Sequence, residues 1–437
     1  MKRIIILSVA LLLAAGLAMA GGQPEKEVFK LTLVNNGKGP FGEGSDTGGY
    51  DTPWDKVLGE FAKENPNIQV TLIIRDTAQG SLTVDALMAK GTPPDVWWDA
   101  TGYFPKYMVE SYALPFEKYL DTSKWQKDLV DLYTRKGHVY VLPAMNVVAA
   151  MAINLDMLDA IGYQMPAQAD WTIDEFNRLS AKLKSQKIPS TMIMTKDGLI
   201  GWMMPWMYAF GAEIYKDMDH SKVVINSPAG VEGLNYIRWL DQQGYGYPFP
   251  NEQNDDRGVE YFAMGKVFSC MLQNGHVDPM VPEMVKQGKL AKPFAYDFVE
   301  FPHKAGRAHT PVSGYQSGTL AHNSGNEAKN AAIAKLAAAA SGVTIQTEVA
   351  LAGGGFPTLV GLDLPQRGVM AKQSTRNLMA LAQTAGLMEL GNLEPFAREL
   401  RRPWIVPIQE FMEGKLSAEA VLIQYEKEAN AIIAAAK

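Results

Sequence analysis

The chain has 437 residues, 47% of them hydrophobic, and 41 Lys and Arg stand against 47 Asp and Glu for a formal charge of −6. An acidic chain without a basic stripe lacks the electrostatic footprint of a nucleic-acid binder, and a single cysteine, Cys270, excludes an internal disulfide or a thiolate metal cluster. This length suits two lobes better than one core.

Residues 1–20 read as a secretory signal peptide. Lys2 and Arg3 give a positive start, residues 4–17 are apolar apart from Ser8 and Gly16, and Ala18-Met19-Ala20 supplies small residues where cleavage needs them. The apolar run is shorter than the ~20 residues that span a bilayer, and no cysteine near Ala20 allows lipid attachment. Cleavage after Ala20 removes Lys2 and Arg3 and takes the formal charge from −6 to −8. A soluble, exported chain is expected.

Phe29-Lys30-Leu31-Thr32-Leu33-Val34 alternates and predicts a strand. A Gly-rich loop follows from Asn35 to Asp51. Thr52-Pro53-Trp54-Asp55 predicts a helix start: Thr52 caps, Pro53 fits the first helical position and Asp55 completes a capping box. Trp54, Val57, Leu58 and Phe61 share one face of that helix. A β-branched run over 68–74 predicts a second strand, 82–89 a helix stopping at Gly91, and Asp95-Val96-Trp97-Trp98 a third strand. Strands separated by helices imply a parallel sheet covered by helices.

Further on, 139–143 and 147–153 are two extended candidates. Thr172-Ile173-Asp174-Glu175 opens a helix through Phe176, Leu179 and Leu183, and Ser227-Pro228 opens another with Val231, Leu234 and Ile237 as its buried stripe. Residues 328–340 form an Ala-rich helix that Gly342 ends, and Ser417 caps a last helix carrying Val421, Tyr425, Ala429 and Ile432. Cys270 sits in an apolar run and reads as a buried structural thiol. With no repeat and no low-complexity linker, two lobes would be woven together by several crossings.

Several short patterns follow one another in a fixed order. They are Trp54-x2-Val57-x3-Phe61-x4-Pro66-x-Ile68-x-Val70, Gly91-Thr92-Pro93-Pro94-Asp95-Val96, and Gly137-His138-Val139-Tyr140-Val141-Leu142-Pro143. Then come Asn154-Leu155-Asp156-Met157-Leu158 with Gly162, Pro166 and Trp171-Thr172-x-Asp174-Glu175-Phe176. Phe262-Ala263-Met264-Gly265-Lys266-Val267, Asn274-Gly275 and Gly354-Gly355-Phe356-Pro357 complete the set. Together they resemble the extracellular sugar-type solute-binding proteins of ABC importers, often called family 1. Two departures stand out. Where family members often carry an aromatic residue after Asn-Gly, this chain has His276, Val277 and Asp278, and the loop from Asn35 to Asp51 is longer than the usual short turn.

The resemblance implies an α/β, periplasmic-binding-protein-like fold: two α/β lobes with interwoven hinge crossings and a ligand cleft between them. The expected division is residues 21–146 plus 312–342 for the N-terminal lobe and 147–311 plus 343–437 for the C-terminal lobe, with hinges near Asn146, Gly314 and Ala340. It further implies an exported monomer that captures a sugar or oligosaccharide and delivers it to the membrane permease of an ABC-type importer, with no covalent chemistry, cofactor or metal.

A sugar offers apolar CH faces and a rim of hydroxyls, so its site needs aromatic planes beside carboxylates and amides. Ligands in open α/β sheets sit beyond the carboxyl ends of strands. Asn36, Trp98 and Asp99 follow predicted strands, Asn146 lies near the first crossing, and Trp54 opens the helix after the Gly-rich loop. Strand alternation leaves either Trp97 or Trp98 for the core. Trp202 and Trp206 fit one helical face, which suits core packing, and in the family this segment supplies cleft aromatics; one of the two is expected in the cleft. Tyr315 and Gln316 lie between Gly314 and Gly318, small residues that let a ligand approach the backbone, and Phe356 follows Gly353, Gly354 and Gly355. His276 is either a donor to a hydroxyl or a structurally satisfied loop residue, and Arg376 either meets an anionic substituent or forms a surface salt bridge.

A hydrolase is the main rival. It would need two convergent carboxylates, whose separation no sequence displays. Gly-x-Ser-x-Gly, His-Glu-x-x-His and a Walker phosphate loop are all absent, and the six histidines are scattered, which also disfavours a transition-metal binder. Glycerol phosphate, a polyol or another polar solute remain alternative cargoes.

Overall fold

A computed structural model describes residues 27–36, 52–75, 82–167, 170–195, 203–216, 219–247, 255–273, 275, 277–388, 390–391, 394–397 and 399–436. The expected signal peptide and most of the Gly-rich loop lie outside them. Strand β1 (Phe29–Asn36) runs parallel to β2 (Ile68–Arg75), and the helix between them, α1 (Pro53–Glu64), starts as its sequence dictates. Thr52 Oγ1 accepts the Asp55 amide at 3.1 Å and donates to the Asp55 carboxylate at 2.8 Å. Trp54, Val57 and Phe61 are buried and Leu58 partly so. Helix α2 (Leu82–Ala89) leads to β3 (Val96–Ala100), parallel to the other edge of β1. Asn35 and Asn36, expected in the loop, still belong to β1, because Asn35 and Asn36 pair with Ile74 and Arg75 and Asn35 also pairs with Trp98.

The two extended candidates at 139–143 and 147–153 fuse into one fourteen-residue strand, β4 (Val141–Asn154). Its first part pairs with β7 (Ser313–Ala321), which also runs antiparallel to β3. Its second part pairs with β5 (Ser269–Gln273) and β6 (Tyr296–Val299), and β8 (Phe356–Pro357) pairs at its middle. One eight-stranded sheet results, ordered β6-β4-β7-β3-β1-β2, with β5 and β8 also on β4. Its register slips between Ser317 and Gly318: Ser317 faces Met145 and Gly318 faces Pro143, so Ala144 is the extra residue of a bulge. A bulge bends and twists the strand that carries it.

Two sets of helices cover this sheet. In the second half, α3 (Ile173–Ser185) is capped by Thr172 and α5 (Pro228–Gln242) by Ser227, each hydroxyl accepting an amide three residues on. Between them lies α4 (Met204–Ala209). Val231 is only partly buried. Gly230, Gly233, Leu234, Ile237 and Leu240 form the inner face instead, because a Cβ on Gly233 would stand 2.8 Å from the Met207 Cα. Helices α6 (Glu327–Ala340) and α7 (Val343–Leu351) follow β7, then α8 (Gln373–Thr384), α9 (Arg402–Met412) and α10 (Ala418–Ala436). On α10, Val421, Tyr425 and Ala429 are buried, with Ile433 more fully so than Ile432.

Gly342 does not simply end the Ala-rich helix. Ser341 is the C-cap, and Gly342 is the N-cap of α7, which returns at once to pack on α1. Ile345, Val349 and Leu351 share the core of Leu31, Leu33, Trp54 and Val96. Helix α7 therefore packs with the first half of the chain, although the expected boundary after 342 assigned it to the second. Another core gathers Trp171, Phe176, Trp206 and Phe268, and a further one holds Cys270, which is buried. Among the described residues no helix is long and apolar enough to cross a membrane.

Candidate ligand-binding crossing

Strand β4 runs from the core of Leu142 and Met145 into that of Met151 and Ile153, and β7 runs from beside Val312 in a third core to Leu320 and Ala321 on the first-half side, so residues at their middles lie between these cores. Sheet register brings four of the expected site residues together there. Asn146 on β4 faces Gln316 on β7 and Phe356 on β8, and Tyr315 is next to Gln316. Gly355 makes this contact possible: its φ is +139°, and a Cβ there would stand 2.7 Å from the Asn146 carbonyl oxygen. Gly275 does the same for the loop after β5, where a Cβ would meet Gly353 Cα at 2.5 Å.

The polar groups of this crossing are mostly uncharged. Gln273, the last residue of β5, hydrogen-bonds the Tyr315 hydroxyl. Burial pushes that hydroxyl above the ordinary tyrosine range; Asp99 and Tyr103 add to the rise and the Gln273 bond opposes it. Tyr315 thus keeps part of its surface open while its hydroxyl lies in the interior. Thr101 Oγ1 donates to the Gln316 carbonyl at 3.1 Å. The Asn146 Oδ1 is buried and has no hydrogen-bond partner among the described residues. Buried acceptors are nearly always paired, which sets this oxygen apart from the other polar groups of the crossing.

The other expected site residues sit elsewhere. Trp54 and Trp98 are 2% and 4% exposed, edge to face at 5.9 Å in the first core. Trp97 is buried as well, in a separate cluster with Phe104 and Tyr107. The expectation that only one of the two tryptophans turns inward fails because both faces of the sheet are covered at β3, Trp98 by the core of Trp54 and Phe61 and Trp97 by that of Phe104 and Tyr107; the sheet is mixed, parallel at β1–β2 and β1–β3 and antiparallel at its other pairings. Asp99 is fully buried: its Oδ2 accepts the Trp97 indole N–H at 3.0 Å and its Oδ1 the Ala100 amide at 2.8 Å. Trp206 packs against Phe176, Phe301 and Tyr236 at 4.9–5.8 Å in the second-half core, not beside the crossing. Asn36 ends β1 opposite Arg75, and its side chain is outside the described set, as are Trp202 and His276 altogether. Arg376 is exposed and bonds Gln373 and the Ala371 carbonyl.

Two residues at the crossing were not anticipated, Gln273 and Tyr103. Both follow the strand-end rule, since Gln273 closes β5 and Tyr103 comes just after β3. Among the described residues no cluster of three or more His, Cys, Asp or Glu could hold a metal. Two pockets, each about 380 Å³, share no residue with the crossing; one is lined by Thr32, Asp95, His322 and Lys329, the other by His220, Glu394 and Phe396.

Comparison with known proteins gives a consistent answer. A family profile described as bacterial extracellular solute-binding protein matches residues 56–373. No curated protein matches the sequence. Among solved structures, a solute-binding protein of an ABC transporter from Thermotoga lettingae, bound with α-D-tagatose, superposes with a TM-score of 0.72 at 16% identity, over 93% of this chain and 100% of that one. The GacH receptor of Streptomyces glaucescens, solved unliganded and with acarbose, gives 0.73 at 14% over 93% and 99%. Maltose-bound MalE3 of T. maritima gives 0.71 at 16% over 92% and 99%. At these identities the likeness is one of fold.

Proposed function

The chain belongs to the bacterial extracellular solute-binding proteins, and from that premise we propose that it captures a sugar or oligosaccharide between two lobes and delivers it to the permease of an ABC-type importer. The observation that carries the reading is the crossing itself. Asn146, Gln273, Tyr315 and Gln316 meet there as uncharged donors and acceptors, with one buried acceptor unpaired among the described residues. Hydroxyl rims pair with amides and phenols of this kind, while CH faces pack on aromatic rings such as Tyr315 and Phe356. The sugar-bound neighbours of the same fold support the same ligand class.

In this proposal the two lobes follow the two sets of cores, with α7 assigned to the first. A ligand touching both sides of the crossing binds the closed form better and shifts the open–closed equilibrium towards it. The cargo leaves unchanged, since positioning alone is required. Export guided by residues 1–20 belongs to the same proposal.

A thermal-shift screen of the purified protein tests it, using tagatose, maltose, chitin oligosaccharides, polyols and glycerol phosphates as probes. A ligand at 100 times its Kd adds about 2.7 kcal/mol, which moves the midpoint visibly. A shift with one sugar class, the sugar recovered intact, is the expected result. Conversion of the sugar would replace the binding role with catalysis, and shifts with glycerol phosphate alone would replace the cargo.

A further inference from the structure

On the first-core side of the crossing lies a polar network closed to solvent. Its centre is Gln346 of α7, 0% exposed. The Gln346 Oε1 accepts the Thr358 amide at 2.7 Å and the Leu359 amide at 3.1 Å, while Nε2 donates to the Ser341 carbonyl at 2.8 Å and to Thr358 Oγ1 at 3.0 Å. Thr358 Oγ1 in turn donates a hydrogen bond to the Pro143 carbonyl at 2.9 Å. Ser341 Oγ bonds Thr319 Oγ1 at 2.6 Å and the Leu142 carbonyl at 3.3 Å.

The partners share a position in the fold. Leu142 and Pro143 come just before the bulge of β4, Thr319 is the β7 residue facing Leu142, and Thr358 and Leu359 come just after β8. The segment after β8 is therefore tied directly to the Gln346 amide, β4 through the Thr358 hydroxyl, and β7 through Ser341, whose carbonyl takes the amide and whose hydroxyl takes Thr319. Fully satisfied buried networks of this kind hold one geometry. Beyond the bulge, β7 carries Gly314 and the segment leading into β8 carries Gly353 and Gly355; Gly353 and Gly355 have φ of +86° and +139°.

We propose that Gln346 is the positioning residue of the hinge: it locks the first-lobe ends of the three crossing strands into one block, so that the lobes rotate about residues 144–147, 314–317 and 353–357. This rests on the two-lobe closure described above and adds where the rotation occurs and which side chain confines it. It requires no knowledge of the cargo.

The test is a distance distribution between the lobes in the ligand-free full chain. Spin labels go on Ala62→Cys in α1 and Lys427→Cys in α10, both exposed, while the native Cys270 is buried. Gln346→Leu removes every bond of the amide and should shift and broaden the distribution. Gln346→Glu is the conservative variant. Protonated, its carboxyl has one donor and one acceptor and fits the site; ionised, it can only accept and opposes the Ser341 carbonyl. Burial raises a carboxyl pKa, so this variant should match wild type near about pH 5 and broaden near about pH 8, while wild type is the same at both. A merely structural glutamine would lower the unfolding midpoint and leave the distribution of the folded protein in place, and that result overturns the proposal. Should the Leu variant not fold, a Glu variant with the wild-type distribution at both pH values overturns it equally. Failure of every probe in the sugar screen would sink the cargo reading while leaving these distances, and their interpretation, untouched.

Discussion

Replacing Asn146 by leucine separates stability from binding. Its Oδ1 is buried without a partner among the described residues, and an unpaired buried acceptor costs about 1–3 kcal/mol of desolvation. Leucine has nearly the same size and no such acceptor. Asn146→Leu should therefore leave the ligand-free protein at least as stable as wild type, with a gain of up to about 1–3 kcal/mol. The same figure appears with opposite sign in binding. A ligand hydroxyl that donates to Oδ1 would enter an apolar contact instead, and about 1–3 kcal/mol corresponds to roughly a 5- to 150-fold loss of affinity. Urea unfolding without ligand and isothermal titration with the sugar that gives the largest thermal shift read the two quantities independently. A variant destabilised by more than about 1 kcal/mol with unchanged affinity would show that the protein itself satisfies Asn146, and the assignment of that oxygen to a ligand would fall.

Three further outcomes are expected. Gly355→Ala puts a Cβ 2.7 Å from the Asn146 carbonyl oxygen at a φ of +139°; it should cost about 1–3 kcal/mol and lower the urea midpoint, and an unchanged midpoint would contradict the close approach. Tyr315→Phe removes the hydroxyl that Gln273 bonds and should weaken sugar binding by up to about tenfold, the worth of one uncharged hydrogen bond, with titration calorimetry as the readout. His322 has its pKa lowered by burial, with Lys329 adding to the fall and the Tyr112 carbonyl and Asp95 opposing it. Because the unfolded state then protonates first, stability should decline as pH falls below about 6.5 towards the depressed folded value. Unfolding of His322→Gln should lose part of that slope, and an identical slope would refute the assignment.

Local signals in the sequence suffice where local chemistry decides the structure. The starts of α1, α3 and α5 follow from Thr52, Thr172 and Ser227, since a capping hydroxyl needs only its own next three residues. The continuity of β4 was hidden because Pro143 and Asn146 look like turn residues, and only pairing with β7 and β8, far along the chain, holds them extended. Residue type alone does not place Trp98 and Trp206, whose burial in the cores depends on which helices cover them. The sheet register brings Tyr315, Gln316 and Phe356 together beside glycines that allow close backbone approach. Gln346 gave no signal at all. A glutamine in a short helix reads as solvent-facing, and its burial is imposed by Thr358 twelve residues later.

The composition of the crossing also follows from what a hinge must tolerate. A group between two lobes is wet when they part and dry when they close. Transferring an ion through that cycle costs several kcal/mol or more unless a partner travels with it, whereas an amide or phenol loses only about 1–3 kcal/mol and regains it from a single hydrogen bond. Gln273, Tyr315 and Gln316 fit that requirement. Asp99, close enough to act on Tyr315, has its two oxygens held by the Trp97 indole and the Ala100 amide on the first-core side, bonds that do not depend on closure. On this argument the uncharged groups take part in both states, while the fixed carboxylate and the Gln346 network belong to the block that does not move. A ligand rich in hydroxyls can then supply, in the closed state, the hydrogen bonds that water supplies in the open one.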